Sequence, residues 1–186
     1  MDATQGGFNA YDIWRNDISG TGKLTLQGTG TLKLAGENTY LGGSQIEGGT
    51  LEAESITAFG AGDVYLGRGT VAVNAPTPVV IAGKYTQLPN TTLELTIGPH
   101  GEGRLVVGDL TTIVDGTLHV KFASGYKPRM GDTLELIDGC GENRRFSTVN
   151  VDGFRATPIY TRCGIRVRLE SIMRPPYIRS PFPFKG

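Results

Sequence analysis

Apolar and polar residues alternate with a period of two in many short runs along this chain. Such alternation predicts half-buried β-strands, and most runs are bounded by Gly, Asn, Asp or Pro, which favour turns. No stretch of a dozen residues without Gly or Pro shows the three-four spacing of an amphipathic helix. The chain is therefore predicted to be all-β. The clearest runs lie at 24–26, 32–34, 71–73, 93–97, 118–122 and 165–169.

A triplet of the form Gly-Thr-Leu recurs along the same strands. Its copies are Gly30-Thr31-Leu32, Gly49-Thr50-Leu51, Gly69-Thr70-Val71 and, further on, Gly116-Thr117-Leu118. A repeat of about 20 residues predicts a β-solenoid, in which each coil of two or three short strands buries its apolar face against its neighbours. The glycines suit corners, where the backbone needs positive φ and coils approach closely. A β-sandwich is the alternative, although it does not require one triplet to recur every second strand.

Composition limits the partners and the environment. The 186 residues include 28 Gly and 10 Pro, and 18 basic residues balance 18 acidic ones. A net charge of zero supplies no field for attracting nucleic acid or anionic lipid, so neither is predicted as a partner. No apolar run is long enough for a membrane-spanning helix, and the first ten residues carry no visible secretory signal.

Two further features remain open at this level. Cys140 and Cys163 would form a disulfide in an exported protein and remain free thiols in a cytosolic one. The segment 171–186 contains four prolines and cannot lie in a central strand. It is either a cap over the end of the solenoid or a disordered terminus.

Candidate catalytic chemistry is sparse. His100 falls in a Gly-rich turn and His119 on the polar side of a strand, and no Ser-His-Asp set, phosphate loop or metal motif accompanies them. Four carboxylates, Glu52, Glu54, Glu94 and Glu135, are predicted to point outward, and a carbohydrate-active β-helix would need two such groups close together. Solvated strand faces explain them equally well. We predict no catalytic residue, no cofactor and no metal.

The first repeats match a known pattern. Gly30-Thr31-Leu32, followed by Asn38-Thr39-Tyr40-x-Gly42-Gly43 and Gly49-Thr50-Leu51, closely resembles the passenger-associated transport repeat of bacterial autotransporters. Residues 14–20 and 58–62 are similar to the segments that precede and follow it, and residues 103–170 resemble the membrane-proximal end of a passenger. The resemblance implies a right-handed parallel β-helix.

The resemblance also implies an organisation and a role. A single solenoid would span 1–170, with transport-repeat coils at 24–73, autochaperone-like coils at 103–170 and a Pro-rich tail or cap at 171–186. It would be the non-catalytic stem of an exported passenger in type V secretion, helping the passenger to fold and be displayed at the cell surface. The alternatives are an adhesin-type binding module, acting in virulence, or the non-catalytic end of a larger exported enzyme.

Partners and special residues follow from the same resemblance. The partners would be an upstream passenger and a downstream outer-membrane barrel in the precursor, with a host or neighbouring-cell surface for an adhesin, and no nucleic acid. In an exported solenoid, Cys140 and Cys163 are about one coil apart, so a disulfide between neighbouring coils is expected. The most stable segment is expected around the apolar residues Leu118, Val120, Phe122, Leu134 and Leu136.

Overall fold

The fold is a stack of parallel β-coils. A computed structural model describes residues 10–109, 115–141 and 145–173, and within them it contains thirteen strands and no helix. The strands are β1 (Tyr11–Trp14), β2 (Leu24–Leu26), β3 (Thr31–Leu34), β4 (Ser44–Ala53), β5 (Val64–Val73), β6 (Val79–Gln87), β7 (Thr92–Ile97), β8 (Leu105–Asp109), β9 (Thr117–Phe122), β10 (Thr133–Asp138), β11 (Thr148–Val151), β12 (Phe154–Thr161) and β13 (Gly164–Ile172).

One stack of strands runs along the whole described solenoid. It consists of β1, β3, the second halves of β4 and β5, then β7, β9 and β11, all paired in parallel. Along it, threonines pair with threonines through Thr31, Thr50, Thr70, Thr92, Thr117 and Thr148. The solenoid has about five turns of about 21 residues. The prediction of an all-β solenoid with about 20 residues per coil is confirmed, and the β-sandwich alternative is wrong.

The core consists of columns of equivalent residues from successive coils. Leu32, Leu51, Val71, Leu93 and Leu118 form one inward column and are at most 1% exposed. Because parallel coils place equivalent positions directly above one another, a repeated strand pattern becomes a continuous apolar interior. Burying each aliphatic side chain of this kind contributes about 1.5–3 kcal/mol.

Two further stacks close the coils. The second contains β2, the first halves of β4 and β5, and the end of β6. The third contains the start of β6, then β8 and the end of β10. The three stacks surround a single apolar cluster that extends from Leu26 to Leu169.

The stack ends in an antiparallel hairpin. β12 pairs antiparallel with β13 and, at its start, with β11, and β13 pairs antiparallel with β10. The hairpin therefore joins the first stack to the third, and the parallel repeat stops there. The strand at 165–169 has the predicted apolar and polar alternation, with Ile165 and Val167 buried and Arg166 and Arg168 exposed. Most of the Pro-rich tail, residues 174–186, lies outside the described residues.

Candidate functional site

The Gly-Thr-Leu triplets stack at one corner of the solenoid. Gly49 has φ 68°, and Gly69, one coil later, has φ 87°. The N–H of Thr50 donates to the carbonyl of Gly30 over 2.9 Å, so each corner is bonded to the coil before it. A side chain at Gly49 would strain the backbone and meet the backbone of Gly30. These glycines therefore act in stacking, and Leu32 and Leu51 beside them are buried in the core.

Asn38 bonds three successive coils through one buried side chain. Its Oδ1 accepts a hydrogen bond from the N–H of Ile18 over 2.9 Å, and its Nδ2 donates to the carbonyl of Ala58 over 2.7 Å. Asn38 is only 2% exposed. An amide suits this position because it offers an acceptor to the coil on one side and a donor to the coil on the other. The neighbouring Thr39 is exposed and donates its backbone N–H to Ile18.

Tyr40 fills the interior beside Asn38, whose pair of hydrogen bonds we call a polar clamp. It is 2% exposed, and its hydroxyl lies 2.5 Å from the Oγ of Ser44, which in turn donates to the carbonyl of Phe59. Burial raises the pKa of Tyr40 to about 12. Gly60 lies against the ring, and a Cβ there would come within 2.8 Å of Tyr40 Cε2. Tyr40 is therefore a packing residue and not an exposed platform for a ligand.

Gly42 and Gly43 complete the turn after Tyr40. The N–H of Gly42 donates to the carbonyl of Gly22 over 3.0 Å, and the carbonyl of Gly43 accepts from Leu24 over 3.0 Å. A Cβ on Gly42 would lie 2.5 Å from the Gly22 oxygen. The small residues of the motif thus allow neighbouring coils to touch through their backbones.

A second buried polar clamp was missed by the sequence analysis. Gln87 is fully buried, and its side-chain amide nitrogen Nε2 donates to the carbonyls of Thr91 and Thr117 over 3.2 Å each. Its Oε1 accepts from the hydroxyl of Tyr85 over 2.8 Å, and burial also raises the pKa of Tyr85. The available signal was positional: Gln87 continues a column that is apolar in Leu26, Ile46 and Leu66.

The outward carboxylates form ion pairs with nearby lysine and arginine side chains. Glu52 lies 3.1 Å and Glu54 3.5 Å from Lys33 Nζ, and Glu135 lies between Arg104 and Arg166 at 2.9 and 2.8 Å. These arrangements are those of paired charges on the outer surface of the strands, with Lys33 and Glu52 half-buried and Glu135 exposed.

His119 lies in a similar outer network. Its Nε2 is 2.7 Å from Asp152 and its Nδ1 is 3.5 Å from Glu94, which also pairs with Lys121. His100 lies apart from this network in an exposed turn, where its backbone N–H donates to Glu102. Within the described ranges, no group of three His, Cys, Asp or Glu residues is arranged to hold a metal ion. No helix in those ranges has the length and hydrophobicity needed to cross a bilayer.

The two cysteines lie at the closed end. Cys140 follows β10 and Cys163 occupies the turn between β12 and β13, and a disulfide joins them with an S–S distance of 2.05 Å. Both residues are exposed. Backbone bonds reinforce the link, since the N–H of Gly141 donates to the carbonyl of Arg162.

The expected folding core is divided between two stacks. Leu118 and Val120 lie inward on β9, whereas Leu134 and Leu136 lie inward on β10, and all four are at most 7% exposed. Phe122 is half-buried and makes edge-on contacts with Tyr126 and Phe154, each with ring centroids 5.9 Å apart. These contacts link β9 to the closing hairpin.

The geometry defines a parallel β-solenoid with a closed end, and sequence comparison identifies its repeat. Residues 24–53 match the family model of the passenger-associated transport repeat. The chain is 38% identical over 77 residues to the adhesin BmaC autotransporter of Brucella suis, 44% over 69 residues to an extracellular serine protease of Serratia marcescens, and 50% over 48 residues to the autotransporter lipoprotein NalP of Neisseria meningitidis.

These matches cover short segments. They take in 37%, 33% and 26% of this chain but only 2%, 6% and 4% of the respective relatives. The chain therefore carries a region of an autotransporter passenger, as the motif resemblance predicted. Such a region is exported and is either displayed at the cell surface or secreted.

Proposed function

We propose that this chain is the non-catalytic stem of an autotransporter passenger and supports its folding and display. The observation that carries the proposal is the closed end, where the β12–β13 hairpin joins two stacks and the Cys140–Cys163 disulfide ties its turn to β10. A fixed end provides a template on which coils add by nearest-neighbour stacking. In the precursor, the partners would be the upstream passenger and a downstream outer-membrane barrel.

Within this proposal, the chain has two functional parts. The segment 103–170 forms first and is the more stable part, and the coils at 24–73 then propagate from it. The solenoid, predicted over 1–170, continues to the end of β13 at Ile172, and the Pro-rich residues of 171–186 beyond that strand serve as a tail or cap. In the segment 103–170, the contact between Phe122 and Phe154 favours early formation because it joins a coil directly to the hairpin.

Two matched substitutions test the order of folding. Val120 on β9 and Val71 on β5 are both fully buried in the first stack. We expect most of the stability lost in Val120→Ala to appear as slower refolding. Most of the stability lost in Val71→Ala should appear as faster unfolding. Stopped-flow refolding and unfolding rates measure both. Equal or reversed behaviour, or greater hydrogen-exchange protection at 24–73 than at 103–170, would contradict early formation of the closed end.

The folding role is tested separately on an attached passenger. We expect an upstream solenoid passenger to refold faster when this chain is fused to it or added in trans. If neither format accelerates refolding, the folding role is lost and only the stem remains.

An adhesin-type binding module is the second candidate. Tyr65 is 36% exposed at a surface groove of about 420 Å³ that is also lined by Lys23, Gln45, Glu47 and Asp63. An aromatic face beside polar groups is a suitable contact for a cell-surface ligand. On this alternative, Tyr65→Ala would reduce the attachment of purified protein to cells, whereas Tyr11→Ala, which removes an exposed ring at 57%, would not. Equal attachment by all three proteins would remove the candidate.

A further inference from the structure

The zero net charge conceals an uneven distribution. The first hundred residues contain 5 basic and 9 acidic residues, whereas residues 101–186 contain 13 basic and 9 acidic ones. Within the closing hairpin, 154–172, four arginines accompany a single glutamate. The balance that argued against an anionic partner therefore does not hold within the closing hairpin.

Three of these arginines lie on one side of the hairpin. Arg168 pairs in register with Thr157, and Arg166 with Ile159. Arg155 lies on the same exposed side of β12 as Thr157 and Ile159, because alternate residues of a strand point the same way. Directly opposed residues of an antiparallel pair point to the same side of the sheet, and Arg155, Arg166 and Arg168 are all exposed. We call this surface, with Ile159, the arginine face. Its opposite side carries Val167 and Leu169, which are buried in the core.

The neighbouring carboxylates neutralise this surface only in part. Glu135 lies 2.8 Å from Arg166, but it also lies 2.9 Å from Arg104, so one negative charge is shared by two guanidinium groups. Glu170 accepts a hydrogen bond from the hydroxyl of Thr157 over 2.6 Å. Positive charge therefore remains on the arginine face.

Exposed apolar side chains lie among these charges. Ile159 is 37% exposed beside Arg166. Met130 is 62% exposed and lines a shallow groove of about 380 Å³ together with Arg168 and Glu170. A flat sheet surface that combines guanidinium groups with apolar side chains suits a planar anionic layer better than a small enclosed ligand.

We propose that the arginine face docks on phosphate-bearing lipid headgroups. Guanidinium groups bind phosphate through paired N–H donors and are less strongly hydrated than ammonium groups, and the adjacent Ile159 and Met130 contact the hydrocarbon boundary. An exported passenger region meets such headgroups at the cell surface. The inference does not depend on the proposed stem function, because lipid binding is an equilibrium property and the folding role is a matter of rates.

Binding of the full chain to vesicles tests the proposal. We expect co-sedimentation with phosphatidylcholine vesicles that contain about a third phosphatidylglycerol, and little with phosphatidylcholine alone. Raising the salt concentration from about 0.05 M to about 0.5 M should weaken the binding, because added ions screen the attraction between the arginines and the anionic headgroups. The triple change Arg155→Gln, Arg166→Gln and Arg168→Gln should lower the affinity at least about tenfold.

A matched variant separates local from overall charge. Lys23→Gln, Arg68→Gln and Lys84→Gln together remove the same charge from coils of the first hundred residues, and this protein should bind within about twofold of the parent. Changing the three arginines of the arginine face to lysine should preserve most of the binding, and circular dichroism checks that each variant is folded.

Several results would overturn the proposal. They are equal binding to neutral vesicles, an unchanged affinity in the arginine-to-glutamine protein, or an equal loss in the matched variant. Retention on heparin without vesicle binding would assign the arginine face to a soluble polyanion instead and would equally overturn it.

Discussion

At the residue scale, buried polar side chains specify how the coils stack. An apolar column gives the same burial energy in several registers, but Asn38 can satisfy Ile18 and Ala58 only when three coils are aligned. Gln87 imposes a related condition on two coils, because it bonds Tyr85 and Thr91 nearby in sequence and Thr117 on the next coil. Because an unpaired buried polar group costs about 1–3 kcal/mol, misaligned coils are disfavoured at these two points.

Removing the Asn38 amide should destabilise the solenoid strongly. Asn38→Ala leaves the Ile18 N–H and the Ala58 carbonyl without their partner, and we expect the free energy of unfolding to fall by about 2–4 kcal/mol. Urea denaturation followed by circular dichroism measures the loss. Asn74→Ala is the control, because Asn74 is exposed and bonds only weakly to Glu52 over 3.3 Å, and it should change stability by less than about 0.5 kcal/mol. A similar effect in both proteins would argue against the clamp.

Burial of Tyr40 should make the fold sensitive to alkali. Its pKa is about 12 in the folded chain and about 10 when unfolded, so the folded state holds the phenolic proton more tightly. This contribution to stability is fully present below pH 10 and is lost as the pH rises from 10 to 12. Denaturation midpoints should fall across that range, and Tyr40→Phe should make the fall smaller, leaving the part that comes from the buried Tyr85. Tyr11→Phe, at an exposed ring, should leave the profile of the parent; an unchanged profile in Tyr40→Phe would contradict the assignment.

The residue patterns in the sequence predicted only part of how the coils stack. The Gly-Thr-Leu recurrence predicted the stacking of Thr31, Thr50 and Thr70, and those residues pair in register. The purpose of Asn38 was not predictable, because its two partners lie 20 residues away on either side and become neighbours only when the coils form. For Gln87, the bond to Thr117, 30 residues away, was equally hidden in the sequence.

At the element scale, the antiparallel hairpin decides where the repeat ends. Strand alternation has the same period in parallel and antiparallel pairs, so the pattern at 165–169 predicted a strand but not its direction. β12 runs back from β11 and brings β13 alongside β10. The closed end is thus a property of connectivity, which local alternation does not encode.

Reduction of the disulfide should loosen the hairpin selectively. The Cys140–Cys163 bond closes a loop with a sequence separation of 23 residues, for which the loss of unfolded-chain entropy gives about 3 kcal/mol. With reductant, we expect faster hydrogen exchange in β12 and β13 and little change in β4 and β5. The double variant Cys140→Ser and Cys163→Ser should show the faster exchange without reductant and should not respond to it. Uniform acceleration in all strands would instead indicate that the whole solenoid depends on the bond.

At the scale of the whole molecule, the coils are stabilised mainly by their immediate neighbours. Such a structure behaves as a one-dimensional array, in which terminal units open before central ones. β1 pairs only with β3 among the described strands, and Asp12 stands in the column that Leu32 and Leu51 occupy in later coils. The first described coil is therefore expected to be the least stable.

Trp14 allows that expectation to be measured. It is the only tryptophan of the chain and lies in β1, so its fluorescence reports the first coil alone. We expect its transition in urea at a lower concentration than the transition in far-UV circular dichroism, which averages all strands. Val79→Ala removes buried volume at a fully buried position of the third stack. It should lower the circular-dichroism midpoint more than the fluorescence midpoint. Coincident transitions in the parent would show that the coils unfold as a single cooperative unit.

The coils also lengthen towards the closed end while their strands stay in register. Along the threonine column the separations are 20, 19, 20, 22, 25 and 31 residues, counted from Tyr11 to Thr148. Equivalent positions of the strands still pair from coil to coil, so the added residues fall between the strands in sequence. Connections of this solenoid can therefore vary in length independently of its core, which makes them sites at which a foreign peptide can be inserted for surface display without changing the register of the scaffold.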